Sequence, residues 1–207
     1  MPPDRFALFE ESRRPWIDPE PLRAKFLRLS AEYHPDRVHD QGPTEQQQAA
    51  QRYAELNAAY QCLREPKERL AHLLELETGR KPAGIEQVPA DMMDLFMEIG
   101  GTNQELSRFL AEKANLSGPL LKAQWFQKAL EKAVHVQALL QTLARRRTQL
   151  EERLQQLNEQ WSVAPPIDDA ARATRLPLLE LEQSYRLLSY LNRWTTQLQE
   201  QLLQLTL

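Results

Sequence analysis

After Pro119 no glycine or proline occurs until Pro165, and this uninterrupted stretch limits the fold more than any other feature. Ala129, Ala133, Val136, Leu140, Leu143, Leu150, Leu154, Leu157 and Trp161 follow four-three spacing, with Arg147 as the one interruption. Spacing of that kind over Pro119 to Trp161 predicts a helix of roughly forty residues, about 60 Å long at 1.5 Å per residue, with a coiled-coil seam that needs helical partners. Pro165-Pro166 forces a turn, because neither residue can continue a helix through its amide. A last helix is expected from about Ala170 to Leu205, with Leu181, Leu188, Leu191, Leu198, Leu202 and Leu205 on one stripe and an irregularity at Pro177.

Composition agrees with an all-α fold. The 207 residues include only 6 glycines, and hydrophobic (42%) and charged (27%) fractions are those of an ordinary globular chain, so a collagen-like or wholly disordered chain is excluded. Leu, Gln, Glu, Arg and Ala lose little rotamer freedom in a helix, and β-branched residues are few, which argues against a β-sandwich. The single cysteine, Cys62, can form neither an internal disulfide nor a four-ligand zinc site, making the cytoplasm the default compartment. A net charge of -3 argues against general nucleic-acid binding. No apolar run approaches the roughly 18 to 20 residues that cross a bilayer, and no signal pattern opens the chain, so no membrane partner is expected.

Glycine and proline concentrate in residues 79–89, which divides the chain into residues 1–78, a linker at 79–89, and residues 90–207. In the first part, Asp18 and Pro19 form an N-cap and first-position pair. Leu22, Phe26, Leu29 and Tyr33 then mark one face of a helix that must stop at Tyr33 or His34, before Pro35. Thr44 with Gln47 fits a capping box, and Ala49, Tyr53, Leu56, Tyr60 and Leu63 continue a second helix up to Pro66. The two helices form an antiparallel hairpin, followed by a shorter helix from about Lys67 to Glu77 closed by Gly79. In the second part, Ala90 to Ile99 and Asn103 to Ala114 read as two helices broken or kinked at Gly100-Gly101. Residues 90–207 are thus expected to form an elongated antiparallel three-helix bundle.

His34-Pro35-Asp36 falls in the hairpin loop, between Tyr33 and Arg37. Asp36 offers a carboxylate for an arginine on a partner, Pro35 fixes the loop direction, and His34 can donate or accept at the helix end. Arg23, Lys25 and Arg28 lie off the apolar stripe as a basic strip that would steer docking onto an acidic surface. Taken singly, each of these residues also reads as ordinary solvated surface. Together the segment LRAKFLRLSAEYHPDR (residues 22–37), the later Asn57-Ala58-Ala59-Tyr60-Gln61-Cys62-Leu63, and Pro66 and Arg69 resemble a J domain. That resemblance implies that His34, Pro35 and Asp36, with Arg23, Lys25 and Arg28 beside them, bind a DnaK-type chaperone and stimulate its ATP hydrolysis.

Phe6-Ala7-Leu8-Phe9, PKERLAHLLEL (66–76) and VPADMMDLFME (88–98) extend the likeness to nearly the whole chain, which is similar to the HscB type of J-domain co-chaperone. The resemblance implies an HscA-type ATPase partner and a C-terminal bundle that holds an iron-sulfur cluster scaffold protein through Phe96, Met97 and Leu187. Bundle core is the competing reading of those three, since Met and Phe fill core gaps and adaptable interfaces equally well. The type usually continues its helix after this point with apolar and acidic residues. Here stand Gly100-Gly101-Thr102, with no carboxylate until Glu105.

His39, His72 and His135 have no neighbours at metal-ligand spacing, and Cys62 is expected to pack in a helix. With no Gly-rich phosphate loop and no nucleophile elbow, neither an enzyme nor a cofactor is expected. Three readings stay open: an iron-sulfur assembly co-chaperone, a J-domain co-chaperone whose bundle holds a different client, and a structural coiled-coil adaptor. The intact His34-Pro35-Asp36 speaks against the adaptor.

Overall fold

The structure is a computed structural model that describes residues 3–34, 42–82, 88–113 and 117–206. It is all-helical among the described residues: α1 (Arg5–Leu8), α2 (Pro19–Glu32), α3 (Pro43–Arg64), α4 (Pro66–Thr78), a 3-10 turn (Ala90–Met92), α5 (Met93–Glu112), α6 (Pro119–Ser162), α7 (Arg172–Arg175) and α8 (Leu178–Thr206). Contacts divide the chain into two compact units, Met1–Ala83 with Glu151–Tyr185, and Gly84–Leu150 with Arg186–Leu207. Helices α6 and α8 therefore run through both units, and residues 90–207 contribute to each.

In the first unit, Asp18 caps α2 by accepting from the Glu20 N–H, Pro19 opens the helix, and Tyr33 closes it as expected. Leu22 and Leu29 are buried, while Phe26 stacks on Tyr60 of α3 with ring centroids 4.0 Å apart. Helix α3 corrects one expectation: it begins at Pro43, with Gly42 at the N-cap position and no side-chain cap, so Thr44 lies inside the first turn and does not head a capping box with Gln47. Proline's fixed φ and missing N–H suit the first helical position and move the N-cap two residues earlier, from Thr44 to Gly42. Helix α4 ends on Gly79, whose φ of 72° is the left-handed conformation a C-cap favours, with its N–H on the Glu75 carbonyl. Phe6, Phe9, Leu63, Leu70 and Leu73 are fully buried and form the core of this unit.

Three polar side chains tie the unit together. Arg69, 2% exposed, donates to the carbonyls of Pro15 and Leu63, and burial lowers its pKa to about 10. Arg172 of α7 grips Glu77 of α4 with two 2.8 Å hydrogen bonds and donates to the Pro165 carbonyl. Asn158 of α6 holds the backbone of Trp16. Buried polar groups of this kind are tolerated because their partners replace the lost water.

In the second unit, α5 corrects a second expectation, since it runs unbroken through Gly100 and Gly101. Two glycines weaken a helix by about 1 kcal/mol each, but Ile99, Thr102, Leu106 and Phe109 are all buried and hold the turns on either side. Helix α6 spans 44 residues, as the unbroken spacing predicts. Its seam takes Leu139 rather than Leu140, which is half-buried. Arg147, the interruption, reaches Asn192 Oδ1 at 3.1 Å. The stretch expected as one last helix is two: α7 stops before Pro177, and α8 starts at Leu178. Along α8, Leu181, Leu188, Leu191, Leu198 and Leu205 are buried and Leu202 is half-buried. No described helix is long and apolar enough to cross a membrane.

Candidate functional site

The tight C-cap at Tyr33, with its N–H on the Leu29 carbonyl, delivers His34 as the first residue beyond α2. The His34 side chain is exposed, and its ring meets Tyr53 of α3 edge-on with centroids 5.4 Å apart. Tyr53 of α3 thus supports one edge of the exposed imidazole. Pro35, Asp36, Arg37 and His39 lie outside the described residues.

Of the three basic residues expected on α2, Arg23 and Arg28 are exposed. Lys25 is not free: its ammonium is 2.9 Å from Glu11 Oε1 and 3.3 Å from the Glu10 carbonyl. Two arginines thus remain exposed on α2, while the lysine fastens the segment after α1 to it. A lysine at the same helical spacing as its neighbours gives no sign of this in the sequence, because Glu11 approaches from outside the helix.

The remaining titratable candidates pack. Cys62 is buried, its thiol donates to the Glu68 carbonyl at 3.5 Å, and burial raises its pKa, so it is a poor nucleophile. His72 is buried face to face with Phe6, and its Nε2 accepts the Arg5 N–H at 3.1 Å. Burial, with the Arg5 charge beside it, lowers the imidazole pKa. His135 is exposed and lies 3.3 Å from the Thr102 hydroxyl. Among the described residues no three His, Cys, Asp or Glu side chains gather to hold a metal ion.

In the second unit, Phe96 and Met97 on α5 are 39% and 66% exposed, and Leu187 on α8 is half-buried. The Phe96 ring rests 6.2 Å from Trp194, which in turn lies 5.3 Å from Tyr190. Both α8 aromatics are buried, so they form a platform under Phe96. Met93, one turn before Met97 on α5, is 43% exposed and joins the apolar surface. Sequence reasoning missed it, although the four-residue spacing of two methionines on one flank was there to see.

The DnaJ domain family matches residues 14–72. The co-chaperone protein HscB homolog of Pasteurella multocida (strain Pm70) is 30% identical over 167 residues, which cover 81% of this chain and 87% of that protein. The solved structure of chaperone HscB from Vibrio cholerae shares the fold, with a TM-score of 0.53 at 21% identity over 95% of each chain. An N-terminal hairpin with His34 at its turn, followed by a helical region and matched along four-fifths of its length, places the chain in the HscB family of J-domain co-chaperones.

Proposed function

We infer that this protein stimulates ATP hydrolysis by a DnaK/HscA-type chaperone in the cytoplasm and delivers an iron-sulfur scaffold protein to it. The observation that carries the chaperone half is His34, held exposed at the end of α2 against Tyr53 and followed in sequence by Pro35-Asp36. Arg23 and Arg28 on the same helix supply positive charge that speeds and orients encounter with an acidic surface. No bond chemistry falls to these side chains. They act as ligands for the chaperone, whose own site hydrolyses the nucleotide.

The scaffold half is supported by the exposed Phe96, Met97 and Met93 over the Trp194 platform, with Leu187 on the neighbouring helix. Exposed aromatic and thioether side chains seated on rigid rings are the usual anchors of a protein interface. A different client is favoured by one feature, the pair Gly100-Gly101 where the family type carries acidic residues.

His34→Gln and Asp36→Asn test the chaperone half. Each should leave the melting temperature nearly unchanged and should abolish stimulation of a cognate chaperone's ATPase. Full stimulation by both variants would reject the reading.

A further inference from the structure

We propose that the seam between α5 and α8, beyond the Phe96 patch, takes an extended stretch of main chain from the same bound protein. The inference rests on the reading of that patch as a client-binding face.

A groove of about 500 Å³ lies in this seam, lined among others by Asn103, Ser107, Gln197, Glu200, Gln201 and Gln204. It continues the patch in register. Asn103 follows Phe96 by seven residues on α5, and Gln201 follows Trp194 by seven on α8, so the pair that closes the patch is repeated two turns along as a pair of amides. Gly100 stands between Phe96 and Asn103, and a side chain placed there would meet nothing. No side chain therefore projects from α5 at that step between patch and groove.

The chemistry of the lining selects the occupant. Gln201 Nε2 points at the Asn103 carbonyl at 3.4 Å, and Ser107 donates to the same carbonyl at 2.8 Å. Asn103 Oδ1 and Gln201 Oε1 are then left buried without hydrogen-bond partners. Acceptors without a partner in the protein are matched by incoming donors. Both oxygens are shielded as they lie, so a ligand gains them by rotation of the half-buried amides. Carboxamides carry a donor and an acceptor together, matching the N–H and C=O of a polypeptide backbone. This chain uses the same match internally, where Asn158 pairs with both main-chain groups of Trp16. Glu200, exposed and lining the groove, favours a lysine or arginine in the bound segment.

The test uses the full chain and the iron-sulfur scaffold protein of its own source. Calorimetric titration of the Asn103→Ala/Gln201→Ala double variant should show affinity reduced about tenfold, the effect of losing two ordinary hydrogen bonds. Its melting temperature should be equal to or above that of the wild type, since the orphan oxygens are gone. Glu200→Lys should weaken binding as well. A photoreactive benzophenone side chain at position 204 should crosslink to one contiguous stretch of the scaffold. Wild-type affinity in the double variant, or no crosslink from position 204 while the complex forms, overturns the inference. If Phe96→Ala abolishes binding in that case, the patch reading stands and only the groove fails. If the wild type binds no scaffold, the patch reading fails and the groove falls with it.

Discussion

The Asn158 carboxamide accepts the Trp16 N–H at 3.0 Å and donates to the Trp16 carbonyl at 2.9 Å, joining two residues 142 positions apart. One side chain of α6 thereby satisfies both main-chain groups of a residue in the segment between α1 and α2. Arg69 holds the adjacent Pro15 carbonyl from α4, so this segment is gripped by helices distant in sequence. Removal of Asn158 leaves a partly buried donor and acceptor unpaired. Asn158→Ala should destabilise the fold by about 2 kcal/mol, and Asn158→Asp by at least as much, because a carboxylate oxygen would then face the Trp16 carbonyl without a proton between them. Urea unfolding of the two variants checks the order.

A pH dependence follows from His72. Its imidazole accepts a backbone N–H in the folded state and must be neutral at Nε2 to do so, and burial lowers its pKa below the ordinary 6.5. Above that value both folded and unfolded chains carry neutral His72, and the contribution to stability is fully present. As pH falls below it the unfolded chain takes up a proton that the folded chain resists, so stability is lost down towards the folded-state pKa. The urea midpoint should drop between pH 7.5 and 5.5. His72→Phe should flatten that slope, at a cost in stability at every pH because the Arg5 N–H loses its acceptor.

The glycine pair of α5 offers a gain. Neither Gly100 nor Gly101 has a positive φ, and a Cβ at either meets nothing within 4 Å. Gly100→Ala and Gly101→Ala should each raise stability by about 0.4 to 1 kcal/mol, through reduced freedom of the unfolded chain and higher helix propensity. A lower urea midpoint in either variant would contradict the helical course of α5 at this point.

These glycines also show where sequence reasoning reaches its limit. Local propensity places a break at Gly100-Gly101, yet burial of Ile99 and Thr102 on either side outweighs two unfavourable residues. By contrast, the start of α2 was legible to the residue and its end to within two, because Asp18, Pro19 and Pro35 act through local sterics and capping that need no tertiary partner. The extent of α6 was legible as well, because no glycine or proline falls between its ends, although its seam takes Leu139 in place of Leu140. What stayed hidden was the company each residue keeps across the fold. Glu11 engages Lys25, Glu77 receives Arg172, and Trp194 supports Phe96. Each pairing joins segments whose proximity no spacing rule encodes. The basic strip therefore looked one residue larger than it is, and the apolar patch one methionine smaller.

The patch itself yields the last prediction. Met97 is two-thirds exposed and Phe96 more than one-third, so truncating them opens no core cavity, and the half-buried Leu187 loses only part of its packing. The triple change Phe96→Ala/Met97→Ala/Leu187→Ala should cost well under the 2 to 5 kcal/mol that a single buried large-to-small change typically removes, about 1 to 2 kcal/mol in sum. Binding should respond far more, because truncating interface anchors commonly costs about 2 kcal/mol or more each when they fill a partner's pocket. Thermal melts and calorimetric titration against the scaffold separate the two effects. A large fall in melting temperature would assign the three residues to the core of the second unit. A small fall together with wild-type affinity would move the scaffold contact to another face of the protein.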